Sequence, residues 1–384
     1  MKNRFDGKAP SIDRRCALGT LAGLALTASM PASRASDPKP RGPDLSRGIN
    51  LSHWFAQSQE GYGADHLTRF ITRPDIARLA AAGFTHVRLG FEPDAVFAQS
   101  GKPALDETVS AHLNEAIAMI ASQKLGIVLD MHPVGASKER YLKSEGAERL
   151  VANWRLLARR LVSVPQDQLA FDILNEPEPL KGEAWWSLQE RLVKAIRGVD
   201  PTRALIVNAG GWSGADDLVL LTPYRYDGLI YTIHHYGPLL FTHQGTDWTW
   251  QVAERVHGLT WPIAPDLADR ASATAVSSPS DRAILRDQIT KGQFTEAFLL
   301  APFEQLAAWS SRHGKLPIYV GEFGVYRNAP HDARLRWLAA SRQAFADRGW
   351  GWAHWDNSAA FGLVSADTGQ FDRATLRAFG MLPA

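Results

Sequence analysis

Cysteine is nearly missing from this chain: Cys16 is the only one in 384 residues. A disulfide framework is therefore excluded, and the fold must rest on its apolar core, as a chain of this size can. An excess of one charge is missing too. The 42 Lys and Arg nearly balance the 40 Asp and Glu. The small surplus sits in residues 1–35, where Lys2, Arg4, Lys8, Arg14, Arg15 and Arg34 outnumber Asp6 and Asp13. The rest is slightly acidic, so charge gives no reason to expect nucleic acid or an anionic membrane as a partner. No apolar run reaches the roughly 20 residues of a spanning helix. No G-x-G-x-x-G turn follows an early strand pattern, which removes the main signature of a dinucleotide fold. Internal repeats and low-complexity linkers are also lacking.

Tryptophan, by contrast, is plentiful, at 13 residues. Aromatic faces suit sugars, whose C–H groups pack on π surfaces, although about half of these rings are expected in the core. The first 35 residues read as an export leader. A charged segment precedes the apolar run Ala17–Met30, then Pro31 and a small-residue site at Ser33-Arg34-Ala35. Arg14-Arg15 with Leu18 just beyond resembles a twin-arginine signal. Residues 1–35 are thus expected to be removed, leaving a catalytic domain over 36–384 that works in the periplasm or outside the cell.

From about residue 45, short apolar runs alternate with segments of helical period. The runs are Gly48–Leu51, Thr85–Leu89, Gly126–Met131, Ala170–Leu174, Ala204–Asn208, Leu229–His234, Ile318–Gly321 and Gly351–Trp355. Most are continuous rather than alternating in polarity, as in parallel strands buried on both faces. Between them the spacing predicts helices over Ile71–Ala82, Val109–Lys124, Ala147–Val162, Glu183–Val199, Phe294–His313 and Asp332–Arg348, with a short one after the fifth strand and a weak one near Arg373–Phe379. Eight such units predict an α/β fold, a (β/α)8 TIM barrel of one domain. An open doubly wound sheet is the alternative. Residues 237–291, after the sixth strand, are too many for an ordinary connection, and are read as a functional loop or an inserted subdomain.

In such a barrel the working groups gather at the C-terminal strand ends. Those ends read His86-Val87-Arg88-Leu89, Asp130-Met131-His132, Asn175-Glu176-Pro177, His234-His235-Tyr236, Gly321-Glu322-Phe323-Gly324 and Trp355. Polar groups in otherwise apolar strands are costly as core residues but make a site when they converge. Glycoside cleavage needs two carboxyl groups, one to protonate the leaving oxygen and one to attack the anomeric carbon or activate water. Glu176 and Glu322, on the fourth and seventh strands, are the candidate pair. A lone strand-end Glu is more often half of an ion pair; two amid this set are not. Side chains alternate along a strand, so His234 and Tyr236 share a face and His235 takes the other. Adjacent strand histidines diverge, which argues against a metal site. Glu178 lies past Pro177 and is a weaker candidate for the proton donor. Trp54 and Trp212, beyond the first and fifth strands, and Trp248 and Trp250 in the insertion are candidate sugar contacts. Trp185, Trp186, Trp309 and Trp337 fall in helices and read as core.

The strings Arg-Gly-Ile-Asn, His-Val-Arg-Leu, Val-Leu-Asp-Met-His, Asn-Glu-Pro, His-His-Tyr and Gly-Glu-Phe-Gly, in that order over about residues 46–360, resemble glycoside hydrolase family 5, the cellulase family. The resemblance implies roles. Glu176 would be the acid/base and Glu322 the nucleophile. Asn175 would bond the sugar 2-hydroxyl, and Arg88 would support the nucleophile. His132, His234 and Tyr236 would contact substrate and nucleophile, and Trp355 would floor the site. It implies a retaining β-glycosidase, first of β-1,4-glucan, with no metal or organic cofactor. The alternatives are β-1,3- or β-1,6-glucan, β-mannan or an exopolysaccharide. Rivals in kind are a transglycosylase and a non-catalytic polysaccharide-binding protein; the latter needs no paired carboxylates.

Overall fold

Eight parallel strands pair in chain order and the last closes on the first. They are β1 (Gly48–Asn50), β2 (His86–Phe91), β3 (Gly126–Met131), β4 (Leu169–Asp172), β5 (Ala204–Val207), β6 (Leu229–His235), β7 (Ile318–Phe323) and β8 (Gly351–His354). The computed structural model describes residues 42–365 and 368–383, so the leader assigned to residues 1–35 lies outside the described residues. The barrel is the predicted one, with strand boundaries within a residue or two of expectation.

Helices Arg73–Ala82, Glu107–Ser122, Ser144–Leu161, Gly182–Arg197, Ala215–Leu218, Glu296–Arg312, His331–Asp347 and Arg373–Ala378 follow the strands in turn. Their ends follow from local chemistry. Thr72 and Asp75 form a reciprocal capping box, with Pro74 in the first turn, and Gly83 at φ 97° ends the same helix. Asp106 accepts from the Val109 amide at 2.9 Å to start the next. At the opposite end of the barrel Arg203 is wholly buried. It is paired with Asp200 at 2.8 Å and donates to the carbonyls of Val164, Pro165 and Leu169.

The strands face two ways. Outward residues such as Val87, Leu89, Leu129, Phe171, Leu205 and Val320 pack under the helices. Trp185, Trp309 and Trp337 join them as expected, each no more than 1% exposed; truncating one would cost roughly 3–5 kcal/mol. Inward residues Val128, Ala170, Ala204, Ile206, Tyr319 and Ala353 form a small separate cluster. Two residues further along, the inward positions turn charged: His86 gives way to Arg88, Val128 to Asp130 and Ala170 to Asp172. The barrel is thus uncharged below and charged above.

One register irregularity matters for the site. Between β6 and β7, Ile233 pairs with Val320, but His234 pairs with Glu322, skipping Gly321. Val320 and Phe323 both pack outward, which strict alternation forbids at a separation of three. The bulge at Gly321 restores both, and leaves Glu322 turned inward. A Cβ on Gly321 would lie 2.8 Å from Thr232 Oγ1 and 3.3 Å from His234 Nε2, so only glycine fits.

Residues 237–291 are an inserted helical unit rather than a bare loop. It contains Leu239–Thr242, Gln251–Glu254, Ala268–Ala275 and Pro279–Thr290, plus a 3-10 turn at Pro265–Leu267. Phe241, Val256, Leu259, Trp261, Leu285 and Ile289 give it buried side chains of its own. No helix among the described residues is long and apolar enough to cross a membrane.

Strand parity also fixes His235. It points out of the barrel and stacks on Trp337 at 5.0 Å, nearly parallel, with Phe303 at 4.7 Å. Burial pushes its pKa down to about 3. The unfolded ring titrates near 6.5, so below that pH the unfolded chain binds a proton that the folded one refuses. This group therefore costs stability as pH falls. Between pH 7 and pH 5 the cost is about 2 kcal/mol. His235→Phe is expected to shrink the pH 7-to-5 drop in unfolding free energy by about that amount. Urea titrations at the two pH values read the difference, and an unchanged drop contradicts it.

Candidate active site

Arg88 is the hub of the site. Its side chain is 1% exposed, and the guanidinium is ringed by acceptors. Nη1 donates to Glu322 Oε1 at 2.8 Å and Asn50 Oδ1 at 3.0 Å. Nη2 donates to Asn175 Oδ1 at 2.9 Å and stands 3.1 Å from Asp130 Oδ2. Nε donates to Asp172 Oδ2 at 3.0 Å. Only a planar five-donor fork can hold this many partners at once. The three carboxylates keep Arg88 firmly protonated against its burial. Burial pushes Asp130 and Asp172 up to about 6, although Arg88 pulls both the other way. One cation facing three acids explains why they do not all hold their charge easily.

Glu322 sits above this hub. Tyr236 donates its hydroxyl to Glu322 Oε2 at 2.9 Å, so each carboxylate oxygen has a fixed donor. Tyr236 is held as a phenol, since burial and the Glu322 charge push its pKa well up. Glu176 lies opposite. Its φ of 30° puts a non-glycine residue in the left-handed region, a strain that tends to mark functional positions. His234 Nδ1 stands between the two, 2.7 Å from Glu176 Oε1 and 3.5 Å from Glu322 Oε2. One oxygen from each glutamate and one His234 nitrogen all lie within 4.8 Å of one another. The His234 ring is neutral near pH 7, because burial pushes its pKa down to about 4.

The two glutamates differ in surroundings. Glu322 has an arginine and a phenol on it. Glu176 touches no cation, and burial raises its pKa, with Glu178 adding to the effect and Lys138, His132 and Arg88 opposing it. A carboxyl whose pKa is raised by burial, beside one that accepts from an arginine and a phenol, is the arrangement acid catalysis needs. The same three side chains could converge on a metal ion, but the donor set is poor for one. Both Glu322 oxygens already accept hydrogen bonds, and the Arg88 charge 2.8 Å away would repel a cation.

The structure brings Arg88, His132, Asn175, Glu176, His234, Tyr236 and Glu322 together as expected. Arg88 and His132 lie beneath the surface of the site and act through their neighbours. Trp355 joins them half-buried, stacked on His132 at 5.6 Å. Trp212 stands at the mouth, 62% exposed, with Lys138 Nζ 5.3 Å from its ring. Trp54 is a correction. It is 2% exposed, packs on Phe55 at 4.9 Å and donates its indole N–H to Leu67 O at 2.8 Å, so it has no face for a sugar. Trp248 and Trp250 are exposed on the insertion, with Trp248 edge-on to Tyr326. Gln57 and Asp172 escaped the sequence reading, and Asn50 and Asp130 stood in its strings without a role. Asn50 ties Arg88 to β7 by donating to Gly321 O at 3.0 Å. Gln57 meets His132 Nε2 at 3.2 Å. Asp130 and Asp172 carry Arg88. Asp130 and Asp172 could have been found from parity, since both fall on the inward face with Arg88; Gln57 carries no such signal.

A closed eight-stranded parallel barrel, with two carboxyl groups this close at its mouth, defines a barrel glycoside hydrolase. The cellulase model, glycosyl hydrolase family 5, matches residues 47–361, and the chain belongs to that family. Endoglucanase C of Acetivibrio thermocellus is 27% identical over 297 residues, covering 76% of this chain and 84% of that protein. Cellodextrinase A of Ruminococcus flavefaciens is 25% identical over 315 residues, covering 79% and 83%. The crystal structure of endoglucanase Cel5A from Thermotoga maritima superposes with a TM-score of 0.73 at 27% identity, over 89% of this chain and all of that one.

Removing Arg88 leaves buried carboxylates uncompensated, a defect that typically costs about 3–5 kcal/mol. Arg88→Met is expected to lose at least roughly that much at pH 8 and clearly less at pH 5, where Asp130 and Asp172 take up protons. Chemical denaturation at both pH values measures it; an equal loss at the two would contradict the ion cluster.

Proposed function

We propose that this protein hydrolyses β-linked glucan by double displacement, with Glu322 as nucleophile and Glu176 as acid/base. The observation that carries this reading is the close, unequal glutamate pair, with one oxygen of each within 4.8 Å of the other. Retaining enzymes place their carboxyl groups about 5–5.5 Å apart, whereas inverting ones leave about 6.5–9.5 Å for a water. Arg88 and Tyr236 aim the Glu322 oxygens and hold the charge that attacks the anomeric carbon. Glu176, its pKa raised by burial, protonates the departing oxygen, and then takes a proton from the water that releases the sugar. In this reading Asn175 bonds the 2-hydroxyl of the ring under attack, and Trp355 floors that ring.

The glucan substrate is supported by the endoglucanase and cellodextrinase relatives, which share most of their length with this chain. Exposed Trp212 offers a stacking face for a sugar.

The two roles separate on leaving-group chemistry. Glu322→Gln is expected to lose at least about 1,000-fold in kcat on every substrate. Glu176→Gln is expected to lose comparably on cello-oligosaccharides but far less, within about 10- to 100-fold, in the first step on an aryl β-cellobioside whose phenolate leaves unaided. Steady-state and burst kinetics on both substrates check it. Equal losses for Glu176→Gln on the two substrates would remove it from the proton-donor role.

A further inference from the structure

Asp130 has no part in the two-carboxylate chemistry, yet it is wholly buried at the centre of the site. Its Oδ2 lies 2.7 Å from His132 Nδ1 and 3.1 Å from Arg88 Nη2. The arginine is a donor only, so Oδ2 is an acceptor there. The other oxygen, Oδ1, is buried without a partner. The Asp130 carboxylate can only accept, so Oδ2 accepts from His132 and the imidazole carries its hydrogen on Nδ1. Its other nitrogen, Nε2, must then accept. Two amide groups face it, Asn175 Nδ2 and Gln57 Nε2, both at 3.2 Å. Asn175 is gripped from its other end as well, since Oδ1 accepts from Arg88 Nη2 at 2.9 Å. A flipped Asn175 would set its oxygen against the His132 lone pair and its NH2 against the guanidinium, two wrong contacts together.

We infer that Asp130 is a positioning residue: by holding His132 in the Nδ1–H tautomer it fixes the Asn175 amide with its NH2 turned to the bound sugar. One hydrogen of that NH2 goes to His132, and the second is left to donate to the 2-hydroxyl oxygen of the ring at the cleavage point. Burial holds the His132 pKa down to about 4, so the ring is neutral and its tautomer well defined in the working range. The relay rests on the glucanase reading only in its last link, from Asn175 to the sugar.

Two readouts separate the links. In the free enzyme, 15N-edited NMR of the His132 ring is expected to show a protonated Nδ1 and an unprotonated Nε2 in wild type, and loss of that preference in Asp130→Ala. A wild-type ring protonated at Nε2 overturns the relay whatever the enzyme's substrate, and whether or not the variant folds. The second readout compares aryl β-cellobioside with its analogue lacking the 2-hydroxyl at the cleavage point. Asp130→Ala is expected to lower kcat, on the order of 10- to 100-fold, on the hydroxylated substrate and only a few-fold on the deoxy one. Asp130→Asn, whose carbonyl can occupy the Oδ2 position, is expected to recover most of the loss. Equal losses on the two substrates, or an Asn variant as poor as the Ala one, overturn the positioning role. A correct tautomer with no activity on either glycoside in wild type would instead count against the glucanase reading alone.

Discussion

Arg88 is the one side chain on which the site depends. It is a single buried cation within hydrogen-bond reach of Glu322, Asp130, Asp172, Asn50 and Asn175. It pre-orients the Glu322 oxygen, sets the Asn175 amide and ties β1, β2, β3, β4 and β7 together near one point. A buried ion cluster of this kind is weak evidence for stability, because desolvation offsets most of the Coulomb gain. Its value is geometric. Five donors in a plane leave Glu322 and Asn175 few alternative positions, and preorganised groups need no rearrangement as charge develops.

The barrel makes this placement affordable. Below the cluster the inward faces are small or apolar, and outside it the helices cover Val, Leu, Phe and Trp side chains. The polar layer can therefore be buried from all sides except the mouth. There the environment divides the two glutamates. Glu322 is braced by a cation and a phenol, whereas burial without a cation in contact raises the pKa of Glu176. In the proposed mechanism one fold thus holds a nucleophile and a proton donor a few ångströms apart, by giving them different neighbours rather than different chemistry.

The barrel was legible in the sequence because its strands are buried on both faces and so read as continuous apolar runs. The polar residues at the ends of those runs named most of the site for the same reason. Four things were not read from it. The bulge at Gly321 shifts parity, so Glu322 faces inward for a reason no alternating pattern reveals. Asp130 and Asp172 share the inward parity of Arg88, a signal present in the sequence but given no role until the barrel brings the three together. Trp54 follows the first strand as Trp212 follows the fifth, but the chain folds Leu67 over its indole N–H, and burial of that kind is a tertiary fact. The helical content of residues 237–291 was hidden by short elements, four of them of twelve residues or fewer, in which a 3.6-residue period is hard to separate from chance.

The central claim is that Glu322, charged and aimed by Arg88 and Tyr236, forms the covalent bond to the sugar. It is tested most directly by trapping that bond. A 2-deoxy-2-fluoro-β-cellobioside with a good leaving group slows both steps by withdrawing electrons from the oxocarbenium-like transition state, and the leaving group keeps formation faster than release. Peptide mass spectrometry after inactivation is expected to find one fluorosugar per chain, on the peptide holding Gly321-Glu322-Phe323, with fragmentation placing it on Glu322. A label on Glu176, on Glu178 or elsewhere, or no label on an enzyme that turns over the unfluorinated cellobioside, would contradict the account.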